Sequence, residues 1–245
     1  MTQVACSSLL EGVRKSGGVV VVVDVYRAFT CTSLLFSFGV KRSILVATPE
    51  EAVALKERDP CLLLIGEVDG KPIEGFDLGN SPSQILRLGP EHFLGRTVVQ
   101  RTSAGVQGVL MAMERAEEVL LGSYTTAKAT TQYISSKAPP VVSIVAMGKN
   151  MKEQTPEDEW CARYLAYLLG AGEYDHREAL REILFAKQTQ KFLRGDKPYY
   201  PPEDPVLCLQ RDIFDFSLQA RREGELVVVR KRDPGWADHD RCVSR

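Results

Sequence analysis

The 245-residue chain is long enough to bury a sizeable core without disulfide or metal staples. Its 31 basic and 32 acidic side chains nearly cancel, to a formal charge of −1, which leaves no electrostatic footprint for nucleic acid or an anionic membrane, so any anion must be bound locally. Six cysteines, at 6, 31, 61, 161, 208 and 242, include no CxxC spacing; that argues against a zinc site and for reduced, mostly buried thiols. No stretch approaches the roughly 18 apolar residues that span a bilayer, and the opening MTQVACSSLL has neither a basic n-region nor a long apolar h-region. The expectation is a cytoplasmic protein.

Short runs rich in Val, Ile and Leu at 18–25, 43–47, 61–65, 96–100, 118–121 and 141–147 alternate with helix-like segments at 28–38, 49–58, 82–88, 104–113 and 127–136. That rhythm predicts an α/β fold, a three-layer α/β/α sandwich around a largely parallel or mixed sheet. Thr155, Pro156 and Asp158 resemble a capping box opening a helix to 169, and Asp175 with Glu178 repeats the device for a helix through 189. Residues 195–205, with four prolines and two tyrosines, predict a loop, and 226–230 predict a strand that closes the sheet. One domain is expected over 1–232, with 233–245 a flexible tail.

Ligands of open α/β sheets bind beyond the carboxyl ends of the strands. The residues following the apolar runs include Asp24 and Arg27, then Glu67, then Thr102 and Ser103, then Ser123, then Lys149. Asp24 and Glu67 offer hard oxygen ligands of the kind that hold Mg²⁺ together with water and substrate phosphate. Asp158 has two readings, the end of a capping box or a third such ligand. Asp24 also reads as a simple strand-end turn residue. Arg27 presents a planar donor fork suited to phosphate, or makes an ordinary surface ion pair; Lys149 binds an anion or is merely solvated. Hydroxyl-bearing turns that open helices present free N–H groups to an anion. Together these residues point to phosphoryl chemistry.

The loop at 73–82 crowds two glycines, two acids and an Asn-Ser-Pro helix start into ten residues. Ser81 and Pro82 are explained by an N-cap followed by a first-turn proline. Glu74, Asp77 and Asn80 are not, and a binding role on a rim stands beside a turn role for them. Other chemistries are disfavoured: His92, His176 and His239 fall in no nucleophilic or metal-binding spacing. There is no Walker A loop, no GxGxxG after the first strand, and no cysteine followed by five residues and an arginine.

Read together, the motifs resemble those of the 2-phosphosulfolactate phosphatase family, Mg²⁺-dependent hydrolases of coenzyme M biosynthesis. The resemblance covers roughly 18–216 and rests on DVYRAFT at 24–30, GE at 66–67, IEGFDLGNSP at 73–82, GS at 122–123, EDxxCA at 157–162 and CLQRD at 208–212. It implies phosphomonoester hydrolysis of a small anionic phosphoester, with Asp24, Glu67 and Asp158 as metal or catalytic carboxylates. It also implies an anion site containing Arg27, Thr30, Asn80 and Ser81. Self-association into a homo-oligomer is compatible with it; nucleic acid and membrane are not expected partners. Three features depart from the family pattern. Phe29 stands where a second threonine is usual, Ala104 lies in a turn that has lost an amide and a hydroxyl, and Thr126 replaces an asparagine. A catalytically degenerate anion-binding or regulatory protein on the same scaffold is therefore the rival expectation.

Overall fold

The computed structural model describes residues 2–232, so the expectation of a flexible tail at 233–245 lies outside the described residues, as do Cys242 and His239. Two elements without an apolar run in their sequence come first, the strand β1 (Gln3–Ser8) and the helix α1 (Leu9–Lys15). β1 is a mostly exposed strand at the sheet's edge, paired in parallel with only one neighbour, so burial never imposed a hydrophobic pattern on it.

The alternation expected from the sequence follows: β2 (Val19–Val23), α2 (Ala28–Ser37), β3 (Arg42–Leu45), α3 (Pro49–Arg58), β4 (Leu63–Val68), the short β5 (Lys71–Pro72), α4 (Pro82–Leu88), β6 (Thr97–Arg101), α5 (Gly105–Ala112), β7 (Glu118–Gly122), α6 (Ala127–Lys137) and β8 (Val141–Ala146). The five valines of β2 are all buried, as a β-branched strand covered on both faces requires. The chain continues through α7 (Pro156–Leu168), α8 (His176–Phe185), α9 (Lys187–Leu193) and α10 (Glu203–Cys208), and ends in β9 (Ser217–Glu223) and β10 (Leu226–Arg232).

All ten strands join one mixed sheet in the order β1-β8-β2-β7-β9-β10-β3-β6-β4-β5. β1, β8, β2 and β7 are mutually parallel, and so are β3, β6 and β4. The antiparallel hairpin β9–β10 sits between the two groups and pairs antiparallel with both, so the second group runs opposite to the first. The strand at 226–230 therefore does not close an edge of the sheet but bridges its middle.

Opposed groups would ordinarily point their carboxyl ends apart. Here an exchange of helices brings them together. α2 leaves β2 and packs Cys31 and Leu35 against Leu63, Ile65 and Val98 of the second group, while α5 leaves β6 and packs Val106 and Val109 against Val20 and Val22 of the first. The loops after β2, β4, β6 and β8 consequently meet in one place.

Three further expectations are corrected. The helix expected through 189 is two, because Ala186 is extended (φ −65°, ψ 143°) and starts α9 in a new direction. The loop at 195–205 contains the start of α10. Thr155 occupies the N-cap of α7 but makes no side-chain cap bond, and Asp158 turns away from it. The second device holds: the Asp175 carboxylate accepts from the N–H groups of Arg177 and Glu178. Of the five described cysteines, Cys31, Cys161 and Cys208 are buried whereas Cys6 and Cys61 are exposed, and all are free thiols.

Candidate active site

Asp24 follows β2 and is buried, yet both its oxygens are satisfied: Oδ1 accepts from the Ala28 N–H at 3.2 Å and Oδ2 from the Gly105 N–H at 2.8 Å. It thereby pins the first turns of the two exchanged helices, α2 and α5. A Cβ at position 105 would lie 2.7 Å from Asp24 Oδ2 and 2.9 Å from the Phe29 ring, so only glycine lets that N–H come close.

Asp158, in the first turn of α7, does the same for two other loops, accepting from the Val25 N–H at 2.7 Å and the Gly148 N–H at 2.8 Å. Gly148 has φ +59°, and a Cβ there would strike the Glu153 carbonyl. Glu67 accepts from the N–H groups of Gly70 and Ser103 and from the Ser103 hydroxyl at 3.2 Å. Three carboxylates thus stitch together the loops after β2, β4, β6 and β8.

Glu157, which the sequence reading passed over, lies beside them and is 2% exposed, and its Oε2 has no hydrogen-bond partner. Burial pushes its carboxyl up to about 7, and the nearby Asp24 charge adds to the rise. Burial likewise raises Asp24 to about 6 against the opposing pull of its two backbone bonds. Asp158 is held well above its ordinary value by burial, then by Asp24 and Glu157. The three form a desolvated cluster of like charges.

Arg27 has the opposite environment. Its Nη1 donates to Asp204 Oδ2 and to the Tyr199 carbonyl, both at 2.9 Å, and its Nη2 donates to the Gly70 carbonyl at 3.4 Å. The guanidinium also lies 5.3 Å from the Phe192 ring centroid and 5.8 Å from that of Tyr200. Asp204 is wholly buried, and its other oxygen accepts from the Ser81 hydroxyl at 2.8 Å and the Ser83 N–H at 3.0 Å. The cation, the hydroxyl and the helix N-terminus expected to receive a substrate anion here receive an internal carboxylate.

A single pocket brings together Asp24, Arg27, Glu67, Asn80, Ser103, Lys149 and Asp158. Four expected residues do not line it. Thr30 donates to the Val25 carbonyl, Ser81 binds Asp204 and caps α4, Thr102 accepts from the Val106 N–H, and Ser123 pairs with Thr125. Each hydroxyl is turned into the backbone or a buried neighbour, as small polar side chains at element ends commonly are. Asp77 binds the Leu64 N–H and Lys56 instead of lining a rim. Phe29 packs in the core with Val106 and Leu121, so the hydroxyl missing there is missing from the core and not from the pocket wall.

Besides Glu157, the pocket gains Lys191 and Tyr200 from the helical second half. The signal for Glu157 lay in EDxxCA, where Asp158 drew the attention; Lys191 had none.

Asp24, Glu67 and Asp158 do not converge as a closed ligand set. Among the described residues no three His, Cys, Asp or Glu side chains are gathered to hold one ion, because these carboxylates are oriented by the N–H groups they grip. The arrangement does fit a cation that keeps most of its shell for water and phosphate. The unpartnered Glu157 oxygen beside the raised Asp24 carboxyl is a desolvated acidic site, on which the Lys191 and Arg27 charges act without a direct ion pair.

The family model described as 2-phosphosulpholactate phosphatase matches residues 7–216. A relative from Bacillus subtilis described as "Probable 2-phosphosulfolactate phosphatase" is 31% identical over 214 residues, 86% of this chain and 90% of its own. Relatives of the same description from Clostridium perfringens (30% identical, 87% of this chain, 90% of its own) and Deinococcus radiodurans (33%, 68% of each) are also similar. Among the described residues no helix is long and apolar enough to cross a membrane.

Proposed function

The chain belongs to the 2-phosphosulpholactate phosphatase family, and on that premise we propose that it hydrolyses a small acidic phosphoester, 2-phosphosulfolactate or a related phosphorylated hydroxy acid, with Mg²⁺ as cofactor. The observation that carries this reading is a pocket lined by both signs of charge: the buried carboxylates of Asp24, Glu157 and Asp158 together with the ammonium groups of Lys149 and Lys191.

A phosphate dianion would be repelled by these carboxylates alone. When bound, Mg²⁺ supplies the charge that lets phosphate lie there and polarises its oxygens. Glu157, through its unpartnered Oε2, would be the residue to hold it, with a remaining lone pair of Asp24 as the second contact; Asp158 and Glu67 keep the surrounding loops in place through their backbone bonds. Arg27 lines the same pocket with its guanidinium held by Asp204, and acts there as a positioning group that fixes the loop after β2 and not as the phosphate clamp. Asn80, whose Oδ1 is unpartnered, offers an amide to orient the substrate. A water attacks phosphorus, the ester P–O bond breaks, and the departing alkoxide takes up a proton originating from that water, leaving hydroxy acid and inorganic phosphate. Attack by Asp24 itself is disfavoured, since each of its oxygens already accepts a backbone N–H.

The test is phosphate release from a panel of small phosphoesters in Mg²⁺ and in EDTA. Turnover of an acidic member in Mg²⁺, abolished by EDTA, is expected. Micromolar binding of a member without turnover of any would replace this reading with that of a non-catalytic anion-binding protein.

A further inference from the structure

Lys191 is the least explained charge at the pocket. It lies on α9 and is partly buried, and among the described residues no carboxylate forms an ion pair with it. Its ammonium is nevertheless held in place, 4.7 Å from the Tyr200 ring centroid and 5.9 Å from that of Phe192. Lys149, after β8, lines the same pocket, and its own contact with Glu153 is a loose 3.9 Å with the lysine side chain half exposed. The other cation of the pocket, Arg27, already has its counter-ion in Asp204.

Two ammonium groups thus line one pocket without a close ion pair to either, the Glu157 and Glu153 charges being the acidic influences that reach Lys191. Burial, then the Lys149 charge, pushes the Lys191 amine below its ordinary value. An arrangement of this kind is stabilised when an anion arrives from outside. The acidic cluster opposes any anion that comes without a cation, so carboxylates and lysines of one pocket suit different parts of one ligand.

We propose that Lys191, assisted by Lys149, is the subsite for a second, non-reacting anionic group of the substrate, a sulfonate or carboxylate, and that it selects phosphoesters carrying such a group. This rests on the phosphatase reading for its place in the reaction. An ammonium with three rotatable donors suits a tetrahedral sulfonate or a carboxylate without demanding one planar geometry. Lys191 acts on recognition and not on the bond that breaks, so its removal acts on KM.

The experiment compares wild type, Lys191→Gln, Lys149→Gln and Lys191→Arg on 2-phosphosulfolactate and on isopropyl phosphate, which has the same kind of secondary ester but no second anion. For 2-phosphosulfolactate, Lys191→Gln raises KM about tenfold or more, as expected for loss of one partly desolvated charge contact, with kcat within about threefold. Lys149→Gln gives a smaller rise in the same direction, because its side chain is more exposed. Lys191→Arg recovers most of the loss, and on isopropyl phosphate the rise in KM caused by Lys191→Gln or Lys149→Gln is several-fold smaller than on 2-phosphosulfolactate. Equal losses on both substrates would assign Lys191 to the phosphate and overturn the proposal, as would no loss on either.

Calorimetric titration of sulfolactate, which needs no turnover, runs alongside. Binding by wild type that weakens about tenfold in Lys191→Gln supports the subsite even if every phosphoester proves inert, an outcome that would sink only the hydrolase reading. Absence of sulfolactate binding to wild type, or equal binding by both proteins, overturns it.

Discussion

Asp24 and Asp204 are both buried carboxylates that accept N–H groups from the first turn of a helix, but they sit in opposite electrostatic settings. Asp204 finds Arg27 at 2.9 Å, with Ser81 and Ser83 completing its bonds; every charge in that group is answered from within the chain. Asp24 stands among Glu67, Glu157 and Asp158, and its carboxyl is raised to about 6. The first arrangement rivets α10 to α2 and α4. The second gathers buried like-charged groups whose carboxyls are raised, a condition that marks functional sites more often than structural ones. A buried charge therefore has to be judged by what surrounds it.

The largest expected difference is in catalysis. Asp24→Asn should lower kcat by about 10²–10⁴-fold, measured as phosphate release in Mg²⁺ with circular dichroism as the folding control. A loss below about tenfold would move Asp24 into the same structural class as Asp204.

Asp204→Ala leaves Arg27 buried and unpaired and should cost about 3–5 kcal/mol of stability, read by urea denaturation. If the cost is below about 1 kcal/mol, the Arg27 group is not a rivet and the contrast fails.

A pH series sharpens the other half of the comparison. Burial raises Asp24 from 3.8 to about 6 and Glu157 from 4.5 to about 7, so the native state keeps protons that the unfolded chain releases. The stability these groups contribute is complete below about pH 4 and is lost as pH rises towards 7, on the order of 3 kcal/mol for each group. In EDTA the melting temperature of wild type should decline across that window more steeply than that of Glu157→Gln. Millimolar Mg²⁺ should recover the loss at pH 7–8 and do little at pH 5, where the carboxyls are protonated. A flat profile, or equal Mg²⁺ stabilisation at both pH values, would remove the argument for a site awaiting a cation.

The smallest effect belongs to Ser81→Ala. It removes a cap and one bond to Asp204, at about 1 kcal/mol, and should leave KM within about twofold because Ser81 does not line the pocket. A KM that rises tenfold would return Ser81 to the anion site.

The motif-bearing ends of β2, β4, β6 and β8 were legible because short apolar runs announce buried strands and the polar residues after them stand out. The Asp175 cap and the Ser81–Pro82 helix start were legible for a local reason: an N-cap answers to residues two or three positions away. Glu157 was hidden by its neighbour, since the pattern at 157–162 offers two adjacent acids and burial alone distinguishes them. Lys191 and Asp204 lie in a helical, proline-rich region without a repeating signal, and their roles depend on partners more than 40 positions away in Arg27, Ser81 and Lys149.

By itself the sequence determined seven of the ten strands, the Asp175 and Ser81 caps and the family motif blocks, because these are set by propensity and pattern over a few residues. Only the tertiary structure decided which polar groups face the pocket. The hairpin β9–β10 reverses half of the sheet, and the exchange of α2 and α5 brings the opposed carboxyl ends back together. In that junction charges separated widely along the chain either neutralise one another, as Arg27 and Asp204 do, or are left facing a ligand. The outcome is a balance of burial against pairing, fixed by distances in space.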